Sequence, residues 1–189
     1  TSGATTSRTT RDDYEFVRIL QLAEAAVVAQ IPLFQIREKS LRGRVLYELV
    51  TEAVKTTRGS ASRVLVNDRF DIARAAGADG VHLTSLSLPV HVVREACGPE
   101  FLIGASTHSL ETAREARDGG ADFVVFGPVF ETESKHVYGP PQGLEKLQRV
   151  TRALQGFPVL AIGGVNLDNA DRCFAAGASG FAGISWFNR

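Results

Sequence analysis

The feature that most limits what this chain can fold into is a threefold echo. Gly77-Ala78-Asp79, Gly120-Ala121-Asp122 and Gly177-Ala178-Ser179 each follow an amphipathic segment and precede a short apolar run. The glycine suits a left-handed helix end, and the alanine lets helix and strand approach closely. The echoes are 43 and 57 residues apart, and each interval holds two strand–helix pairs, so the mark falls on every second unit. Strands are expected at 31–36, 63–66, 80–83, 101–104, 123–126, 158–162 and 180–185. Helices are expected from residue 12 or 13 to 29, then at 41–57, a short one ending at 76, 89–98, 109–117, 144–154 and 168–176. Strands that are apolar almost throughout belong to parallel sheets covered on both faces. The expected architecture is α/β, a (β/α)8 TIM barrel forming a single domain over 1–189, in which alternate strands share a structural role. A doubly wound open sheet is the alternative.

The strand count is seven rather than eight. The chain opens on a Thr/Ser-rich loop at 1–10 and closes on a strand, and its 189 residues fall short of the roughly 250 of a typical barrel. The first strand and the last helix are therefore expected to lie outside this sequence, unless 1–10 cover the gap. The lack of any Met fits a trimmed product.

Composition excludes several classes of partner. Lys+Arg and Asp+Glu number 21 each and are interspersed, so nothing suggests nucleic-acid binding. No apolar run is long enough to span a membrane, and no signal peptide is visible. Cys97 and Cys173 stand far apart without a CxxC pair, which argues against a disulfide framework or a zinc site and suits a reducing compartment. The expected location is the cytoplasm. The expected partners are small phosphorylated molecules, with a homo-oligomer left open.

In a barrel, the C-terminal strand tips form one functional rim. Collected there are Gln35, Arg37 and Lys39; Asn67 and Asp68; His82 and Thr84; Ser106, Thr107 and His108; Gly127 and its loop; Gly163 and Gly164; and Ile184 and Ser185. Gln35, Arg37 and Lys39 alternate, so an extended chain points all three to one side, a grip for a phosphate or diphosphate. The competing reading is a solvated loop. Asp68 suits Mg²⁺, which takes one or two carboxylates plus substrate oxygens, unless Asn67 and Asp68 merely cap the next helix. Gly163-Gly164 suits phosphate binding through backbone N–H groups, or a plain turn. Thr132, Ser134 and Lys135 lie on a Pro/Gly-bounded loop that reads as a lid over an anion or as solvated surface. His82 sits inside an apolar run and reads as a satisfied histidine rather than a base.

Seven stretches in order resemble the thiamine phosphate synthase family and its relatives, the thiazole tautomerases. They are Gln35-Ile36-Arg37-Glu38-Lys39, Val66-Asn67-Asp68-Arg69, the segment 77–83, Ile103-Gly104-Ala105-Ser106-Thr107-His108, the segment 126–132 with Lys135, Ala161-Ile162-Gly163-Gly164-Val165, and Gly183-Ile184-Ser185. The resemblance implies a barrel enzyme that joins hydroxymethylpyrimidine diphosphate to thiazole phosphate and releases diphosphate, with Mg²⁺ as cofactor. It implies that Gln35, Arg37, Lys39, Asn67 and Lys135 hold the diphosphate side. Ser106 faces the diphosphate or pyrimidine, and Thr132, Ser134, Gly164, Ile184 and Ser185 receive the thiazole phosphate. Arg37, Lys39, Lys135 and Ser106 carry the chemistry.

One departure stands out. Ser87 falls where a synthase carries the Asp that is its second Mg²⁺ ligand, leaving Asp68 and Ser87 as the metal set. The tautomerases would explain a lost metal site, but the His they carry directly after the strand-6 Gly is here Pro128. Three readings stay open: a weakened synthase, a tautomerase of the same fold, or a non-catalytic protein that binds thiamine precursors or regulates their use.

Overall fold

The computed structural model describes residues 1, 3–132 and 140–183. Among them, seven helices alternate with seven strands: α1 (Tyr14–Val28), β1 (Leu33–Ile36), α2 (Gly43–Thr57), β2 (Arg63–Asn67), α3 (Phe70–Ala75), β3 (Gly80–Leu83), α4 (Val90–Cys97), β4 (Leu102–Thr107), α5 (Leu110–Asp118), β5 (Phe123–Phe126), α6 (Gly143–Ala153), β6 (Val159–Ile162), α7 (Ala170–Ala175) and β7 (Gly180–Ala182). The strands follow in chain order in one sheet, and β1–β2, β2–β3, β4–β5, β5–β6 and β6–β7 pair in parallel. Unbroken chain order is barrel topology, whereas a doubly wound sheet reverses its order at a switch point. The fold is therefore of the (β/α) barrel class, and the open-sheet alternative falls. No helix of the described residues is long and apolar enough to cross a membrane.

Contacts divide the chain into two compact units. The first runs from Thr1 to His82 and includes Cys97–Leu102. Its core is built by the inner stripe of α1 (Phe16, Ile19, Ala23), the inner stripe of α2 (Leu46, Leu49, Val50, Ala53) and the outward strand residues Phe34, Ile36, Val64 and Val66. The second comprises Leu83–Ala96 together with the described residues from Ile103 to 183. Its core joins Ala113 and Ala116 of α5, Leu147 and Val150 of α6 and Cys173 of α7 to Val124, Phe126, Val159 and Ala161.

The echo closes the helices as expected. Gly77, Gly120 and Gly177 take φ of +73°, +93° and +88°. The following alanine N–H groups donate back five residues, to the carbonyls of Ala73, Ala116 and Cys173, at 2.9, 2.9 and 3.0 Å. These are the six-to-one bonds of Schellman ends. The third residue does more than the sequence indicated. The Asp79 N–H donates to the Val64 carbonyl at 3.0 Å, and the Val64 N–H donates to the Asp79 carboxylate at 2.7 Å. Asp122 repeats this exchange with Ile103 at 2.8 and 2.7 Å. Each aspartate thus pins the root of a neighbouring strand.

β4 runs to Thr107, beyond the 101–104 expected, because residues 104–107 pair with 123–126 of β5. Ser106 therefore lies within the strand rather than in a loop after it.

Candidate active site

At the tip of β1 in the first unit, burial alternates. Phe34, Ile36 and Glu38 are buried, Gln35 and Arg37 are half-buried, and Lys39 is exposed in the following turn. Strand pairing places Gln35 opposite Leu65 and Ile36 opposite Val66. This brings the Gln35 Nε2 within 3.4 Å of the Asn67 Oδ1, to which it donates. Gln35 and Asn67 are thus joined across the two strands, while Arg37 and Lys39, expected on the same side as Gln35, follow the last residue of β1.

Sequence reasoning assigns no role to Glu38, which lies between two cations. Its side chain is only 3% exposed, and its carboxylate accepts from the Gly3 N–H at 3.1 Å, the Thr5 N–H at 3.1 Å and the Thr5 hydroxyl at 2.8 Å. The parity of the strand turns this carboxylate away from the face that carries Arg37. The same N-terminal segment bonds the backbone of β1's tip. The Thr1 nitrogen donates to the Gln35 carbonyl at 2.7 Å, the Arg37 N–H to the Thr1 hydroxyl at 2.9 Å, and the Gly3 N–H to the Arg37 carbonyl at 3.2 Å. These bonds fasten the tip of β1 at residues 35–38.

Asp68 does not cap α3. The N-cap is Arg69, without a side-chain cap bond, and Arg69 instead grips Asp71 at 2.8 and 2.6 Å. Asp68 is exposed, takes the left-handed φ of +64°, and its carboxylate makes no hydrogen bond or ion pair among the described residues. Aspartate enters this region more readily than most residues, and backbone of this kind also clusters at active sites. His82 is 6% exposed, and its pKa is pushed down to about 4, first by burial and then by the charge of Arg37. It is neutral near pH 7, so it adds no charge beside Arg37, in line with its reading as a satisfied histidine.

In the second unit, Ser106 is half-buried and pairs with Val125. Next to it, Thr107 is 2% exposed, and its hydroxyl has no hydrogen-bond partner among the described residues. The His108 Nδ1 bonds the Gly127 carbonyl. The loop after β5 lies along the end of β6: the Val129 N–H donates to the Ile162 carbonyl at 2.8 Å and the Phe130 N–H to the Gly163 carbonyl at 2.9 Å. A Cβ on Gly164 would come 2.3 Å from the Glu131 carbonyl oxygen, and Gly164 has φ +64°. Glycine is required there by the approach of this loop, whatever binds. Thr132, half-buried, follows Glu131. The Asn169 Nδ2 donates to the Gly164 carbonyl at 2.9 Å, and Arg172 stacks over the Phe130 ring at 5.4 Å. Neither Asn169 nor Arg172 was singled out from sequence.

Ser87 has another use. Its hydroxyl accepts from the Thr84 N–H at 2.8 Å and lies 3.1 Å from the Thr84 hydroxyl, closing the turn before α4. No cluster of three or more His, Cys, Asp or Glu side chains among the described residues could hold a metal. A lone exposed carboxylate still fits a Mg²⁺ ion carried largely by substrate oxygens and water. Ser134, Lys135, Ile184 and Ser185 lie outside the described residues.

A family model described as thiamine monophosphate synthase matches residues 8–187. A putative thiamine-phosphate synthase of Geobacter sulfurreducens is 44% identical over 167 residues, 88% of this chain and 78% of that protein. The thiamine-phosphate synthase of Moorella thermoacetica is 42% identical over 166 residues, 88% of this chain and 79% of that protein. Among solved structures, a thiamine phosphate pyrophosphorylase from Pyrococcus furiosus superposes with a TM-score of 0.76 at 35% identity, covering 93% of this chain and 81% of that one. The chain belongs to the thiamine monophosphate synthase family.

Proposed function

We propose that the chain joins hydroxymethylpyrimidine diphosphate to thiazole phosphate, and that the tip of β1 is its diphosphate-holding face. The observation that carries this reading is the β1 tip itself. Half-buried Gln35 bonds the buried Asn67 at 3.4 Å, half-buried Arg37 follows two residues on, and the carboxylate of Glu38 is turned into bonds with residues 3 and 5. With the Glu38 carboxylate held in internal bonds, the Arg37 guanidinium and the Lys39 ammonium are the groups left to meet an anion.

In the reaction, the thiazole nitrogen forms a bond to the pyrimidine methylene carbon as the carbon–oxygen bond to diphosphate breaks. The electron pair of that bond leaves with diphosphate. Arg37 and Lys39 meet the charge growing on the leaving group, and Lys135 is assigned the same role by resemblance. A Mg²⁺ ion ligated by Asp68 would add further charge neutralisation there. The thiazole nitrogen is already a nucleophile, so neutral His82 need not serve as a base. Ser106 contacts the diphosphate or pyrimidine, while Thr132, Gly164 and, by resemblance, Ser134, Ile184 and Ser185 take the thiazole phosphate.

The engagement of Ser87 in its own turn favours a second reading, a tautomerase that works without the metal. The deciding experiment incubates the protein with both substrates and Mg²⁺ and measures thiamine phosphate directly. Product above an Arg37→Ala control supports the synthase. No product, with isomerisation of the thiazole phosphate in the absence of Mg²⁺, supports the tautomerase. Neither activity, with retained ligand binding, leaves the non-catalytic reading.

A further inference from the structure

We infer that Glu38 is a positioning residue for the anion-holding face of β1, acting through the segment Gly3–Thr5. The inference rests on the reading of Arg37 and Lys39 above. Glu38 touches no reacting group. Its carboxylate accepts three hydrogen bonds, from the Gly3 N–H, the Thr5 N–H and the Thr5 hydroxyl, at 3.1, 3.1 and 2.8 Å. These donors lie 33–35 residues earlier in the chain, so their only route to the β1 tip is tertiary. Gly3 closes the circuit, because its N–H also bonds the carbonyl of Arg37 at 3.2 Å. The backbone of Arg37 is therefore fixed through the same residue that Glu38 holds.

Buried charged acceptors with three donors are among the stronger and more directional polar contacts in a protein. Residues 37–40 lie beyond the last ladder bond of β1, where sheet pairing no longer fixes them. Glu38 supplies the missing constraint, and the parity of the chain then presents Arg37 on the opposite side.

Positioning and simple charge make opposite demands on one substitution. Glu38→Gln removes a negative charge between two cations. By charge alone, anion binding should tighten. If Glu38 positions the tip, binding should weaken, because the amide of glutamine sets a donor against a backbone donor. The probe is inorganic diphosphate, titrated calorimetrically, together with steady-state kinetics on both substrates. Positioning predicts about a tenfold rise in the Kd for diphosphate and in KM for the pyrimidine diphosphate, with KM for thiazole phosphate within twofold. Thr5→Val removes only the hydroxyl bond, and it carries the test should Glu38→Gln fail to fold; a two- to threefold weakening is expected. In the double variant the two losses should not add, as the sites are in contact.

Unchanged or tighter diphosphate binding in Glu38→Gln, with only a lower melting temperature, would overturn the inference. So would an equal rise in both KM values. If Arg37→Ala binds diphosphate as tightly as the wild type, the reading of the β1 tip itself falls and takes this inference with it. If Arg37→Ala loses binding and Glu38→Gln does not, only the inference about Glu38 falls.

Discussion

The two ends of the strands are built on opposite terms. At the roots, polar groups are used up internally. Asp79 and Asp122 exchange two hydrogen bonds each with the neighbouring strand, and Arg94 adds a 2.7 Å ion pair to Asp122 and a 2.9 Å bond to the Gly120 carbonyl. At the tips, charge is left available: Lys39 is exposed, and Asp68 makes no hydrogen bond or ion pair among the described residues. In a barrel, conservation of stability belongs to the first end and chemistry to the second. The comparison teaches that the same residue type reads differently by position, since Asp122 and Asp68 differ in what already surrounds them.

Substitutions can break this contrast. The largest effect is expected from Arg37→Ala, which should lower kcat/KM by about a hundredfold, or about 3 kcal/mol, while the melting temperature stays close to wild type. A matching collapse in melting temperature would make the tip structural after all.

Nearly as large is an effect of pH. The folded pKa of His82 lies at about 4, below its ordinary 6.5. Between these values the unfolded chain takes up a proton that the folded one refuses, so stability is present above pH 6.5 and is lost as pH falls toward 4. The loss is about 3 kcal/mol at about 1.4 kcal/mol per pH unit. Urea unfolding across that range, with His82→Asn for comparison, checks it. The variant should show the shallower slope, and equal slopes would remove His82 as the cause.

At the roots, Asp122→Ala should cost about 2 kcal/mol and Asp79→Ala about 1 kcal/mol, with kcat retained in the folded fraction. The order follows from the arginines. Arg94 is only 20% exposed and bonds Asp122 at 2.7 Å, whereas Arg63 is 59% exposed and lies 4.0 Å from Asp79. Denaturant melts that rank the two in reverse would show that strand exchange, not the arginine, sets the strength. The smallest effect belongs to Thr107→Val, which replaces a buried hydroxyl lacking a partner among the described residues. It should be neutral or stabilising by up to about 1 kcal/mol in the same melts.

Much of this was legible in the sequence because the signals were local. The echo of Gly-Ala-Asp fixed where helices end, and the helix expected from residue 109 does begin there, with Ser109 capping α5 and Thr112 completing a capping box. The failures came where distant pairing decides. Residues 104–107 are small or polar and carry no strand signal, yet β5 keeps them extended. Asp68 looked equally like a cap or a ligand, and only the backbone shows that α3 starts without it. Ser87 stood in the place of a metal ligand, but its tie to Thr84 shows a turn that needs its hydroxyl. Glu38 could not be placed at all, since its three donors lie at residues 3 and 5.

The aspartate clamps also bear on how quickly the chain finds its register. The Val64–Asp79 bond closes a loop of 15 residues and the Ile103–Asp122 bond one of 19. Closing such short loops costs little chain entropy. Parallel pairing is ordinarily slow because its contacts are remote in sequence, and here the contact that sets alignment is nearly local. Each unit can thus settle its own strand alignment early, before the more distant cations at the β1 tip are fastened by Thr1, Gly3 and Thr5.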